Sequence, residues 1–340
     1  MSRRRGRRRD DARVLLELAS CALFEPYRPL MAHMVVTRRC NLSCGYCYEY
    51  DRVSPPVPFE VLRERVDHLA RLRAVFVTLT GGEPLLHPQL VDLVAHVRAR
   101  GMTPVMNTNG YLLTAEHIRA LGRAGLYALQ ISIDSVTPNA TTKKALTPLM
   151  PRLRLLAEHA TFAVRVNTVL GSAPPAEALE VARAVLALGF DSKCSLRRDA
   201  DGTPVALDAH AHAVYQQIRE LGGRAPAYLS EDFQLPLLRG GDVAWKCRAG
   251  ARFFHVCEDG LVHLCAPRTG DPGKPLSAYG EADLRHAFHT RKPCASRCPV
   301  PYAHQASRLD LLRPQRHSPP RVRLPIIGTQ PVAPAADKPM

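Results

Sequence analysis

The sequence predicts an α/β fold: a partial (β/α)6 TIM-like barrel followed by a small C-terminal cysteine-rich β-hairpin extension. Three observations carry that expectation. From His33 to about Leu196, short β-rich runs alternate with helical periods, the pattern of a parallel sheet built from βα units. The chemistry-bearing residues of this stretch fall just after those runs, where the βα loops of such folds gather. Further on, Asp259-Gly260 is a hairpin-turn signal between Cys247 and Cys265.

Residues 1–30 open with six arginines in Arg3–Arg9, read as a solvated tail. A helix follows, in which Leu15, Leu18, Ala19, Ala22 and Leu23 recur at three- and four-residue spacing. Leu18-Ala19-Ser20-Cys21 has the form of a lipoprotein cleavage box. The apolar stretch Val14–Ser20 is nevertheless short for the hydrophobic part of a signal peptide, and it carries Glu17. In the core, residues 31–200, six strands are expected: Met34–Thr37, Ala74–Leu79, Thr103–Asn107, Ala128–Ile133, Phe162–Val169 and Ser192–Leu196. Between them, helices are expected over Phe59–Leu72, Leu90–Arg100, Ala115–Ala124, Leu149–His159 and Ala176–Leu188, long enough to return the chain for parallel pairing. Beyond Asp199 the rhythm fades. Residues 201–306 then read as a separate unit, with a helix over Asp208–Leu221 and cysteines from Cys247 to Cys298. Residues 307–340, with Pro314, Pro319, Pro320, Pro325, Pro331, Pro334 and Pro339, read as a Pro-rich disordered tail.

Composition narrows the class. With 46% hydrophobic and 23% charged residues, the 340-residue chain matches water-soluble globular proteins, and no stretch is apolar enough to span a bilayer. A cytoplasmic location follows as the expectation. Ten cysteines without a convincing export signal argue for metal or redox chemistry rather than a disulfide framework. The net charge of +15 owes much to the Arg run, and a nucleic-acid partner is its less favoured reading.

Cys40, Cys44 and Cys47, spaced C-x3-C-x2-C after the first expected strand, place three thiols in one loop. Three thiolates can ligate three irons of one cubane and leave the fourth without a protein ligand. A structural zinc site usually takes four ligands as two separated pairs, and no local fourth is present. On this motif, with Tyr46 before the last cysteine, the stretch from Met34 to Leu196 resembles the radical SAM superfamily. The resemblance implies a [4Fe–4S] cluster whose open iron binds the amino and carboxylate groups of S-adenosylmethionine. One electron then breaks the S–C5′ bond, and the 5′-deoxyadenosyl radical abstracts hydrogen from substrate. It also implies a one-electron donor such as flavodoxin or ferredoxin.

Gly81-Gly82-Glu83-Pro84 follows the second strand. Its glycines allow close backbone approach to a ligand, and the resemblance assigns Glu83 as acceptor for the methionine ammonium. Asn107, Asn109, Ser132, Asp134 and Asn167 lie at later strand ends, where similar enzymes contact the ribose and the carboxylate; each is equally an ordinary cap or turn residue. Lys143 and Lys144 read as solvated charges.

Cys247-x12-Gly260-x4-Cys265 resembles the opening of the SPASM and twitch extensions, which bring cysteines onto an auxiliary iron–sulfur cluster. Cys294 and Cys298 would complete four thiolates for one auxiliary [4Fe–4S] cluster. Tyr302 stands where a fuller domain would carry another cysteine. Cys257 reads as a buried small hydrophobe, His263 and His304 as non-ligands, and zinc is the alternative occupant of the four thiols. The resemblance points to oxidation or cross-linking of a peptide or a metabolite. RNA modification and a non-catalytic iron–sulfur or zinc module are the competing readings.

Overall fold

The computed structural model describes residues 2–47, 50–199, 202–222, 233–310 and 313, with the side chains of 2–9 left out. Prolines 314 to 339 of the expected tail lie outside the described residues. The chain runs α1 (Ser2–Leu23), β1 (Met31–Thr37), α2 (Phe59–Arg71), β2 (Phe76–Gly81), α3 (Leu90–Ala99), β3 (Thr103–Thr108), α4 (Ala115–Arg123), β4 (Ala128–Ser132), α5 (Leu146–His159), β5 (Ala163–Leu170), α6 (Pro175–Ala187), β6 (Asp191–Leu196), α7 (Ala209–Leu221), α8 (Gln234–Leu238), β7 (Phe253–Val256), β8 (Leu261–His263), β9 (Lys274–Pro275), α9 (Glu281–His289) and α10 (Pro301–Arg308). Strands β1 to β6 pair in parallel and in sequence order, the expected six-stranded partial barrel.

Alternation along the strands separates an apolar outer face from a polar inner one. On β5, Val164, Val166, Thr168 and Leu170 are buried, whereas Ala163, Arg165, Asn167 and Val169 are half-buried. Leu93, Val97, Ile118, Leu149, Leu153, Val181 and Val185 of the helices pack with the apolar face in one core. The inner face, carrying Thr78, Asn107, Gln130, Asn167 and Lys193, is left to line a cavity.

The extension is continuous with the core. Strand β7 pairs in parallel with β1, in the register Met31↔Phe253 and His33↔His255, so the hairpin β7–β8 lengthens the barrel sheet to nine strands with β9 at its edge. The hairpin thus shares the core's sheet, although the βα rhythm fades beyond Asp199. The reason is the open edge: without β7, the β1 backbone groups would lack partners on one side. The turn at Gly260 falls where expected, with φ +85. Arg65 of α2 donates to the carbonyls of Cys257 (3.2 Å) and Glu258 (2.8 Å), fixing the turn against the core.

Helix α1 continues through Arg3–Arg9. Val14 and Cys21 are buried on its packed side and Leu18 packs beside Cys21, whereas Leu15 and Leu23, which spacing placed on that side, are 58% and 68% exposed. Both sets have helical spacing, and only the contact surface decides between them. Arg13 donates to Gly101 O and to Thr103 Oγ1 (2.9 Å), and Asp11 accepts from Tyr127 (2.9 Å), so α1 lies at the N-terminal ends of β3 and β4.

Arg252, just before β7, ties this region together. Its guanidinium donates to both oxygens of Asp310 at 2.8 Å and to the carbonyls of Cys21 (2.9 Å), Glu25 (2.8 Å) and Arg28 (3.0 Å). Both side chains of the ion pair are fully buried. Arg252→Met leaves the buried Asp310 carboxylate only the longer contact with Arg313 Nε (3.4 Å), and a loss of about 3 kcal/mol is expected. Chemical denaturation checks this; a loss under about 1 kcal/mol would show that the pair is dispensable.

Candidate functional site

The cysteine loop leaves the C-terminal end of β1 and is anchored on both sides. Cys40 N donates to Asp51 O (3.0 Å), Gly45 N to Thr141 O (2.9 Å) and Cys47 N to Cys44 O (3.1 Å). Cys44 is buried; Cys40 and Cys47 are half-buried. N–H groups already point at the sulfurs: Leu42 N and Asn109 Nδ2 at Cys40 Sγ (3.4 and 3.7 Å), and Lys143 N at Cys44 Sγ (3.3 Å). Such donors stabilise thiolate charge and tune the potential of a cluster. The donor set therefore fits an iron–sulfur group held by three thiolates.

The glycine pair serves this loop. Gly82 N donates to Thr37 O (2.8 Å) and Glu83 N to Arg39 O (2.9 Å), so β2's exit is laced to the backbone just ahead of Cys40. A Cβ on Gly81, whose φ is +137, would overlap the Thr37 carbonyl oxygen, and one on Gly82 would overlap those of Arg38 and Arg39. The close approach that demands glycine is thus to β1's exit, alongside any approach to a ligand.

Glu83 is bonded to the turn after β3. Its carboxylate is fully buried and accepts from Thr108 Oγ1 (2.6 Å), Asn109 N (2.7 Å) and Leu85 N (3.1 Å). Burial raises its pKa, and these bonds oppose the shift. Neither cavity at the site has Glu83 in its wall. The side chain holds the turn after β3 in place, which in turn aims Asn109 at Cys40 and at Asn41 Oδ1 (2.8 Å).

Asp134 is likewise buried and committed. It accepts from Tyr46 Oη (2.7 Å), Thr142 Oγ1 (2.9 Å) and Val169 N (3.0 Å). Lys144 Nζ donates to Tyr46 Oη (2.7 Å) and sits 4.9 Å from the ring centre. Burial disfavours the Lys144 ammonium, but Tyr46, Asp134, Cys44 and Cys47 outweigh it and hold the charge in place. Lys144 belongs to the site, and sequence reasoning missed it because nothing local distinguishes it from Lys143.

Two cavities open here. One, of about 170 Å3, is lined by Cys40, Cys44, Cys47, Gly81, Gly82, Asn107, Asn109, Ser132 and Lys144. The other, of about 350 Å3, fills the barrel interior and shares Cys47, Asn107 and Lys144 with the first. Its wall includes Tyr46 and Asn167, the latter donating to Ser195 Oγ (3.0 Å). Pro299, Val300, Pro301 and Tyr302, immediately after Cys298, also line it. Arg165, Lys193 and Arg197 also line it; the alternation of Phe162–Val169 and Ser192–Leu196 was the signal that could have placed the first two.

Cys247, Cys265, Cys294 and Cys298 lie near enough to one another to shift each other's ionisation. Burial, with a smaller contribution from Cys294, pushes the Cys247 thiol up to about 11, and burial with Cys247 and Cys294 pushes the Cys298 thiol up to about 12. Cys265 shifts the same way, from burial and from Cys298, Cys247 and Cys294. Cys257 is buried in the hairpin turn, where its N–H bonds Leu261 O (3.0 Å), and His304 is sandwiched between Phe233 and Trp245 with Nε2 on Cys298 O (2.8 Å). Among the described residues, no three His, Cys, Asp or Glu side chains are grouped so as to hold a metal ion. A cubane sets its ligands farther apart than one ion does, since each thiolate binds a different iron.

Residues 34–197 match the family model described as the Radical SAM superfamily. A Fe-coproporphyrin III synthase of Methanosarcina barkeri is 33% identical over 104 residues, covering 30% of this chain and 26% of the relative. A PqqA peptide cyclase of Gluconobacter oxydans is 34% identical over 115 residues, covering 33% and 32%. The chain thus aligns with about a quarter to a third of these relatives' length. Among solved structures, Streptococcus suis SuiB bound to precursor peptide SuiA has a TM-score of 0.57 at 13% identity, over 82% of this chain and 69% of that one. Native anSMEcpe with bound AdoMet has a TM-score of 0.54 at 15% identity, over 78% and 83%.

Proposed function

The chain belongs to the radical SAM superfamily through residues 34–197, and from that premise we propose that it reductively cleaves S-adenosylmethionine and abstracts hydrogen from a peptide or small-molecule substrate held in the barrel. One observation carries this reading: the 350 Å3 cavity has in its wall both Tyr46 and Cys47 and the segment after Cys298. A substrate lying there would reach both cysteine groups.

In this reading Cys40, Cys44 and Cys47 hold a [4Fe–4S] cluster, which with bound S-adenosylmethionine supplies one electron and a 5′-deoxyadenosyl radical. The chain's own residues bind and orient. Gly81 and Gly82 present backbone to the methionine end, Asn107, Asn109 and Ser132 offer polar groups around the smaller cavity, and Asn167 does so from the barrel wall. Glu83 and Asp134 position from behind, the first through the β3 turn and the second through Tyr46. Cys247, Cys265, Cys294 and Cys298 hold one auxiliary cluster, suited to taking an electron from a substrate radical, as net oxidation or cross-linking requires. The PqqA peptide cyclases and the peptide-bound SuiB favour a peptide among the substrate classes. A flavodoxin or ferredoxin is the proposed electron donor. RNA modification is disfavoured because the Arg run belongs to a helix attached at the N-terminal ends of the strands, opposite the cysteine loop.

The test is anaerobic. Reconstituted full-length protein should contain about eight irons and, when reduced, form 5′-deoxyadenosine from S-adenosylmethionine. Replacing Cys247, Cys265, Cys294 and Cys298 by Ala should leave about four irons and keep that cleavage. Zinc retained at the four thiols, or no 5′-deoxyadenosine from fully loaded protein, would refute the auxiliary cluster or the enzyme respectively.

A further inference from the structure

The charges in the barrel wall are of one sign. Lys144, Arg165, Lys193, Arg197 and Arg198 line the cavity, and among the described residues no Asp or Glu does. His33 and His255, also in the wall, add nothing at neutral pH: burial pushes them down to about 3 and about 4, each helped by a neighbouring histidine. Lys144 is held by Tyr46 and Asp134, and Arg198 lies in the field of Cys265 and Cys298.

Arg165, Lys193 and Arg197 lie on the inner face of β5 and at β6 and its exit. Alternation sets them facing the cavity, since Lys193 is in register with Asn167, two residues on from Arg165. Arg165 has a partner at Asp191 (3.7 Å), but that carboxylate is 68% exposed and screened by water. The Nε donors of Arg165 and Arg197 are buried with no hydrogen-bond partner. Guanidinium donors held out of water without an acceptor are unfavourable, and like charges gathered in a cavity repel. An arriving anion answers both conditions, and guanidinium groups match carboxylate and phosphate oxygens in geometry.

We infer that this wall is a specificity subsite for a substrate bearing a carboxylate or phosphate, which Arg165 and Arg197 grip while the remainder of the molecule extends towards Cys47. The inference rests on the proposal that the barrel cavity holds the substrate. S-adenosylmethionine also carries a carboxylate, so the test must separate the two.

Equilibrium binding to anaerobically reconstituted full-length protein, with S-adenosylmethionine present, provides the separation. The probes are N-acetylglutamate amide, its neutral counterpart N-acetylglutamine amide, and inorganic phosphate. The acid or phosphate should bind at least about tenfold tighter than the neutral amide. Arg165→Gln and Arg197→Gln should each weaken the anion about tenfold or more, and Arg165→Lys should restore much of the loss. Tighter glutamate marks a carboxylate substrate and tighter phosphate a phosphate ester; either supports the subsite. Equal binding of acid and neutral amide, no binding of either anion, or lost S-adenosylmethionine affinity with anion binding unchanged would overturn it. Formation of 5′-deoxyadenosine by the same wild-type material is measured in parallel. Its absence would sink the proposed function and leave the binding result readable.

Discussion

Replacing Cys40, Cys44 and Cys47 together by Ala should lower the reconstituted iron from about eight to about four and abolish 5′-deoxyadenosine formation. The three thiols sit in a loop whose backbone is held by Asp51, Thr141 and the internal Cys44–Cys47 turn rather than by the side chains themselves. The apo fold should therefore survive, with near-native circular dichroism. Asn109 Nδ2, which faces Cys40 Sγ, keeps its bond to Asn41 (2.8 Å) when the sulfur is gone. Iron content unchanged at about eight would place the loop outside the cluster chemistry, whatever the activity. Four irons with cleavage intact would move that chemistry to the C-terminal cysteines.

The second large effect is expected from Gly82→Ala. Its added methyl would enter the carbonyl oxygens of Arg38 and Arg39, both backbone atoms that cannot swing aside. Relief requires β2's exit and the segment before Cys40 to part, straining the Gly82–Thr37 and Glu83–Arg39 bonds. A displacement of about 1 Å at reacting groups costs on the order of 10²-fold in rate, and a fall of that size in 5′-deoxyadenosine formation is expected. Iron content should change little, because the thiols stay together in their own loop. Gly101→Ala is the control: its φ is also positive, at +82, but nothing lies within 4 Å. It should cost stability without the drop in rate. Equal rates for Gly82→Ala and wild type would show that the close approach plays no part in setting the site.

The core was legible because its signals are local. Each of the six strands was expected within a few residues of where it lies, and the helices of the core almost as closely, since alternation and three- to four-residue spacing are written in consecutive residues. Three features lie beyond local signals for one reason. Leu15 and Leu23 on α1 have the same spacing as its buried residues, and only the neighbouring surface selects the face. Phe253–Val256 is only four residues long, and nothing in it names β1 as its partner. Glu83 meets Thr108 and Asn109 across some 25 residues of sequence, and no local pattern names those partners.

The order of residues by itself determined the parallel α/β core, the triad of thiols in one loop and the glycine turn between later cysteines, because short-range periodicity and spacing suffice for each. Only the tertiary structure decided that the extension continues the barrel sheet, that Lys144 joins Tyr46 and Asp134, and that Arg165 shares a cavity wall with Arg197. Those facts depend on which distant segments meet. Edge pairing, exclusion of water and the field of surrounding charges act through space, and no window of sequence contains them.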